Sequence, residues 1–223
     1  MTPQPLPAPR AVLFDLDGTL ADSEPLIARL QLEVLAANGH SIAEGDMAPL
    51  TGSPFPEKMI ALKVPQPHEA MDEQYRARYA AELAATSEIE GAGILLSLLS
   101  ERGIASAIVS NKVEDGARRL ITALGWDEYC AVIVGRDSAA DGTRKPRPGP
   151  AFHALAKLGL AAVESVFVGD SAADMTCGKQ AGCAAVIGLT VTHPEKELRA
   201  AGATHICDSL ADVSALLVPA SSA

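Results

Sequence analysis

Val12-Leu13-Phe14-Asp15-Leu16-Asp17-Gly18-Thr19-Leu20 is the stretch on which the reading of this chain turns. An apolar run ends abruptly in two carboxylates two residues apart, then a glycine and a hydroxyl. Val12 to Phe14 read as a strand buried on both faces, the pattern of a parallel sheet. Ligands of open α/β sheets bind beyond the carboxyl ends of the strands, and Asp15 and Asp17 sit at such an end. Strand residues i and i+2 point the same way, so the two acids share one small space. Like charges that close are unfavourable unless a cation or a proton lies between them. An Asp-Gly turn accounts for Asp17-Gly18 but leaves Asp15 unexplained.

Downstream of this strand, Asp22-Ser23-Glu24-Pro25 reads as a helix start, and Leu26, Ile27, Leu30 and Val34 follow at helical spacing up to Asn38-Gly39. Prolines and a glycine break residues 47–64, leaving a short helix around Glu57–Leu62. A further helix is expected over Glu69–Ala85. Residues 22–88 therefore read as helical with no strand signal, an insertion. From Gly91 the pattern becomes alternating strand and helix. Strands are expected at Ala105–Val109, Ala131–Val134, Val166–Val168, Ala184–Ile187 and His205–Ile206, with a closing helix over Leu210–Leu217. This alternation predicts an α/β fold, a doubly wound, Rossmann-like parallel sheet with right-handed crossovers. The expected domains are a core of residues 1–21 and 89–223 and an inserted small α-helical cap of residues 22–88.

A length of 223 residues suits such a core with an insertion, and 48% hydrophobic residues supply a substantial interior. The net charge of −10 and the lack of any basic cluster argue against a nucleic-acid surface. No apolar run approaches a membrane span, and Met1–Arg10 is proline-rich with no apolar signal segment. Cys130, Cys177, Cys183 and Cys207 lack CxxC spacing and read as buried thiols in a reducing compartment. A cytoplasmic protein is expected.

Four strands end, in order, in Asp15/Asp17, Ser110/Asn111, a loop bearing Lys145, and Asp170/Asp174. In a doubly wound sheet those ends face one crevice. Each piece alone has an ordinary explanation: a strand-end serine, a solvated lysine, a helix cap at Asp170-Ser171, an exposed helix acid at Asp174. Their arrival together at strand ends is what carries weight. Carboxylates alone repel a phosphate; with a hard divalent cation they do not, and such oxygen ligands suit Mg²⁺. Ser110, Asn111 and Lys145 can then hold phosphate oxygens, a set suited to phosphoryl transfer. Asp-Ser-Ala-Ala-Asp also occurs at 137–141, but that copy lies in a loop. The metal is placed at 170–174, and Asp137 and Asp141 read as loop residues or as residues that back the site's ligands.

With these motifs the chain resembles the haloacid dehalogenase superfamily of aspartate-nucleophile hydrolases. The likeness spans nearly the whole chain: Asp15-Leu16-Asp17-Gly18-Thr19, Ser110-Asn111, Lys145-Pro146-Arg147-Pro148, and Gly169-Asp170-Ser171 with Asp174, in the family's order. The helical 22–88 segment and Leu20-Ala21-Asp22-Ser23 resemble the branch of phosphoglycolate phosphatases and β-phosphoglucomutases. The resemblance implies that Asp15 is the nucleophile and a Mg²⁺ ligand. It implies that Asp17 is the acid/base, its carbonyl a metal ligand, and that Thr19 orients Asp17 or helps hold the loop. It further implies that Ser110 binds the phosphoryl group and Lys145 neutralises charge, that Gly18, Thr19 and Asn111 line the substrate, and that Asp170 ligates the metal directly, with Asp174 a metal ligand through water or a partner of Lys145. The expected substrate is a small phosphorylated metabolite, phosphoglycolate or a sugar phosphate, acted on by a monomer or weak dimer without nucleic acid or membrane. A mutase-type phosphotransferase and a receiver-like signalling module are the alternatives. Lys58, Arg76 and Arg78 could meet an anionic substrate, but a solvated helix face is the preferred reading of them.

Overall fold

The computed structural model describes residues 6, 8–138 and 143–218; Asp141 lies outside them. The chain runs through β1 (Ala11–Phe14), β2 (Ala21–Asp22), α1 (Glu24–Ala37), α2 (Glu44–Met47), α3 (Phe55–Ala61), α4 (His68–Glu82) and β3 (Ser87–Glu88). It then alternates: α5 (Ala92–Glu101), β4 (Ala105–Val109), α6 (Glu114–Ala123), β5 (Cys130–Val134), α7 (Gly149–Leu158), β6 (Ser165–Gly169), α8 (Ala172–Ala181), β7 (Ala185–Leu189), α9 (Glu195–Ala201), β8 (His205–Cys207) and α10 (Leu210–Leu217).

Six strands form one sheet in the order β5-β4-β1-β6-β7-β8, every neighbour parallel. This is the doubly wound, Rossmann-like fold. Alternation along β1 serves both faces: Val12 and Phe14 join a core under α5, α6 and α10, while Leu13 joins the core under α7, α8 and α9. All of β1 is buried, as its unbroken apolar run requires. Register levels the strand ends. Phe14 lies opposite Ile108 and Val168, and the Asp15 N–H donates to the Val168 carbonyl at 2.9 Å. The Ser110 N–H donates to Val134 at 2.9 Å. Asp15, Ser110 and Asp170 therefore emerge on one rim, where chain order reverses around β1.

Residues between β2 and β3 bury a cluster of their own, with Val34, Leu35, Phe55, Met59 and Met71 at its centre. Two departures from expectation stand out. Ala21 pairs with Glu88 and Asp22 with Ser87 in an antiparallel ribbon, so the ends of the helical segment are strands. Two residues per strand are too few to show alternation, which hid them. The helix α9 was also unforeseen; it has a single buried side chain, Leu198, and so shows no apolar stripe. No helix among the described residues is long and apolar enough to cross a membrane.

Candidate active site

Beyond the strand ends lies a cleft of about 520 Å³, walled on one side by the strand-end loops and on the other by α1, α3 and α4. The turn after β1 sets its floor. Gly18, at φ +80°, takes the left-handed conformation that favours glycine. A side chain there would also meet the Asp170 carboxylate, 2.7 Å from an added Cβ.

Asp15, Asp170 and Asp174 are all buried and bring carboxylate oxygens within 4.8 Å of one another. Lys145, delivered by the loop before α7, reaches Oδ1 of Asp15 and Oδ1 of Asp174, each at 2.6 Å. Burial, then the Asp174 charge, raise the Asp15 pKa well above the ordinary value, against the pull of Lys145. Burial and Asp174 likewise raise Asp170 to about 6, opposed by hydrogen bonds from Thr192 and Thr19. Burial lowers the Lys145 ammonium, but Asp15 and Asp174 outweigh it, and its pKa lies above the usual lysine value.

Three buried acids against one ammonium leave an excess of negative charge. Asp174 Oδ1 accepts no well-formed hydrogen bond; the Lys145 ion pair is its sole partner among the described residues. This all-oxygen, net-negative donor set fits a divalent cation.

Asp17 stands apart from this crowd. Its Oδ1 accepts from the Ser23 hydroxyl at 2.5 Å and pairs with Lys112 at 3.2 Å. The Lys112 ammonium lies 4.1 Å from the centre of the Tyr79 ring, a cation–π contact. Ser23 occupies the N-cap position of α1, yet its side chain makes no capping bond and serves Asp17 instead.

Several expected partners are different in the structure. Thr19 donates to Asp170 Oδ1 at 2.7 Å, so it ties the β1 turn to the β6 rim, which fits the expectation that it helps hold the loop and gives it a partner other than Asp17. Thr192 donates to the other Asp170 oxygen. Asn111 lines the cleft, but its amide clasps the Lys145 backbone: Nδ2 donates to the Lys145 carbonyl at 3.2 Å and Oδ1 accepts its N–H at 3.0 Å. Ser110 lines the cleft, and its Oγ accepts the Lys112 N–H at 3.1 Å. Ser171 and Asp174 form a capping box at α8, which fixes Asp174 where Lys145 can reach it. Asp137 accepts the Glu114 N–H at 2.7 Å, an ordinary loop role. Lys58 is 3% exposed and lines the cleft, contrary to a solvated face, whereas Arg76 borders the cleft but stays half-exposed, paired with Asp72. Arg78 does lie on the surface, paired with Glu33.

Sequence reasoning passed over Ser23, Lys112, Thr192 and His193, the last of which also lines the cleft. Lys112 follows Ser110-Asn111 directly and was within reach of the motif argument. Thr192 and His193 lie in the loop after β7, which carries no motif.

Gly169 is the strand-end residue on which Asp174 rests: a Cβ there would lie 2.4 Å from the Asp174 Cβ. Gly169→Ala is expected to cost about 1–3 kcal/mol through overpacking and to displace Asp174. Thermal unfolding and turnover together test this; no change in either refutes it.

Comparison with known proteins agrees with the geometry. The family model of haloacid dehalogenase-like hydrolases matches residues 12–187. A phosphoglycolate phosphatase of Xanthomonas campestris is 35% identical over 187 residues, covering 81% of this chain and 83% of that protein. The tyrosine-protein kinase PtkA of Mycobacterium tuberculosis is 35% identical over 170 residues, 75% of this chain but 58% of that protein. The structure of CbbY from Rhodobacter sphaeroides in complex with phosphate superimposes with a TM-score of 0.79 at 25% identity, covering 92% of this chain and 96% of that one. The chain belongs to the haloacid dehalogenase-like hydrolases.

Proposed function

We propose that this protein is a phosphatase that hydrolyses a small phosphomonoester through an aspartyl-phosphate on Asp15, with Mg²⁺ as cofactor and phosphoglycolate as the first candidate substrate. The observation that carries this reading is the unequal setting of the two acids of the first motif. Asp15 lies among carboxylates beside Lys145, whereas Asp17 is set aside with Ser23 and Lys112. A pair in different environments is suited to different tasks.

Asp15 Oδ1 is engaged by Lys145 and by the Leu16 N–H at 2.7 Å, which leaves Oδ2 to attack phosphorus. The ester P–O bond breaks, and the departing oxygen takes a proton from Asp17. Asp17, now a carboxylate, removes a proton from water; the hydroxide displaces Asp15 from phosphorus and releases phosphate. Lys145 balances charge on Asp15 and the phosphoryl oxygens, Ser110 donates to one of those oxygens, and Asn111 fixes the loop that presents Lys145. Asp15, the Asp17 carbonyl and Asp170, with Asp174 nearby, would hold the divalent cation, which would shield the incoming phosphate from these acids.

Residues 22–88 act as the cap that covers the cleft. The name of the Xanthomonas relative supports phosphoglycolate. The kinase relative matches over little more than half its length, whereas the phosphoglycolate phosphatase relative, matched over 83% of its length, supports hydrolysis. Free thiols throughout the described cysteines support a reducing, cytoplasmic setting.

The test is turnover of p-nitrophenyl phosphate with Mg²⁺ and its loss on chelation. With p-nitrophenyl phosphate, whose leaving group departs without a proton, Asp17→Asn should slow turnover by about 10²–10⁴-fold at the hydrolysis of the intermediate, so that ³²P from the labelled compound stays on the protein. A native chain that releases no phosphate, or a variant that never holds label, rules the scheme out.

A further inference from the structure

Most cations of the cleft are already engaged by anions. Lys145 pairs with Asp15 and Asp174, and Lys112 with Asp17. Arg76 and Arg136 share Asp72 at 3.2 and 3.6 Å, and Arg119 pairs with Asp115. Lys58 differs. It sits on α3, lines the cleft, is 3% exposed, and forms no ion pair among the described residues. Its ammonium donates to Oε1 of Gln31 at 3.1 Å, a neutral partner that takes one of three N–H bonds.

A helix lysine with no task lays its stem on apolar surface and puts its head in water. Lys58 instead carries its head into the cleft, where burial lowers its pKa and the charges of Glu24 and Asp17 partly restore it. Glu24 is the acid nearest in effect, yet it stays outside ion-pair distance, and burial followed by the Asp17 charge raises its own pKa to about 7. A buried ammonium without an anion is unfavourable. It becomes favourable when a ligand supplies the anion.

We propose that Lys58, held in place by Gln31, is a specificity-determining residue that binds a second anionic group on the substrate. The cleft then selects short phosphomonoesters with a carboxylate or a second phosphate at the end remote from the transferred group. This rests on the phosphatase reading and extends it, because it assigns to the helical wall of the cleft a task separate from the chemistry at Asp15.

Three matched compounds test it: 2-phosphoglycolate, ethylene glycol bisphosphate and the uncharged-ended 2-hydroxyethyl phosphate, with p-nitrophenyl phosphate as reference. A charged hydrogen bond in a dry site corresponds to roughly 10–100-fold in kcat/KM. The native protein should prefer at least one of the two anionic-ended compounds over 2-hydroxyethyl phosphate by that factor, and which one identifies the second group as carboxylate or phosphate. Lys58→Met should remove the preference chiefly through KM, with a much smaller fall for 2-hydroxyethyl phosphate, and Lys58→Arg should keep part of it. A native protein that turns over p-nitrophenyl phosphate but shows no preference overturns the inference and leaves the phosphatase reading standing, even if the variants do not fold. Equal losses on all compounds in a folded Lys58→Met overturn it too. No turnover of any compound, p-nitrophenyl phosphate included, is the failure of the phosphatase reading instead.

Discussion

Asp15→Asn lowers phosphatase turnover by ~10⁴-fold or more, the scale on which loss of a nucleophile is felt. The amide cannot form the acyl phosphate, and the remaining residues can only bind and orient. The same change has a second, opposite effect on stability. The folded-state pKa of Asp15 is raised, by burial first and Asp174 next. The folded chain therefore holds that proton more tightly than the unfolded chain does. Stability from this group is complete below the unfolded value of about 4 and is lost as pH rises through the folded value. Without a divalent cation, keeping Asp15 folded costs the native protein more as pH rises from 5 to 8, and the variant is spared that cost. Melting curves in chelator should show Asp15→Asn at least as stable as the parent at pH 8, with the advantage shrinking toward pH 5. A variant that keeps a tenth of native turnover, or melts well below the parent at pH 8, contradicts the assignment.

Lys145→Met is expected to act in the reverse direction on stability. Lys145 is buried between Asp15 and Asp174, both at 2.6 Å. Removing one partner of a buried ion pair leaves uncompensated charge and typically costs about 3–5 kcal/mol. For a chain of this size that corresponds to a fall in Tm of roughly 6–20 °C. Turnover should fall by about 10²–10³-fold, as for a lost electrostatic donor. Three controls identify the cause. Lower pH should shrink the defect, because the raised pKa values of Asp15 and Asp170 let them take up protons. A divalent cation should recover part of it. Adding Asp15→Asn to Lys145→Met should recover more, since it removes one of the stranded acids. A loss under ~1 kcal/mol would mean that Lys145 is not the counter-charge of this cluster.

The strand ends were legible in the sequence because each carries a short polar motif after an apolar run. Asp15, Ser110, Lys145 and Asp170 could be placed on one rim from alternation alone. What the sequence could not show was pairing across distance. Thr19 lies two residues from Asp17 but bonds Asp170, because the Gly18 turn aims it across the sheet. Asn111 reads as a phosphate ligand by chemistry, yet its amide is taken by the Lys145 backbone. Ser23 reads as a helix cap by position, yet it serves Asp17. Lys58 reads as surface because composition cannot tell a helix face turned to water from one turned to a cleft. The β2–β3 ribbon and α9 were too short for periodicity to register.

That ribbon has a consequence for how such proteins diversify. Ala21 faces Glu88 and Asp22 faces Ser87, so the chain leaves the sheet and returns to it through two adjacent, hydrogen-bonded backbones. Antiparallel partners stand only about 5 Å apart. Everything between them is, to the sheet, equivalent to one long hairpin loop whose closure cost grows only slowly with length. Exchanging residues 24–86 for the corresponding stretch of a relative thus requires a match at the two paired positions and where Leu26, Ile27, Leu30 and Tyr79 join the sheet core, and it leaves Asp15, Ser23, Lys145 and Asp170 in place. Selection can redraw what the enzyme recognises while Asp15, Lys145 and Asp170 stay as they are, because the chain itself crosses between the two parts only at this ribbon.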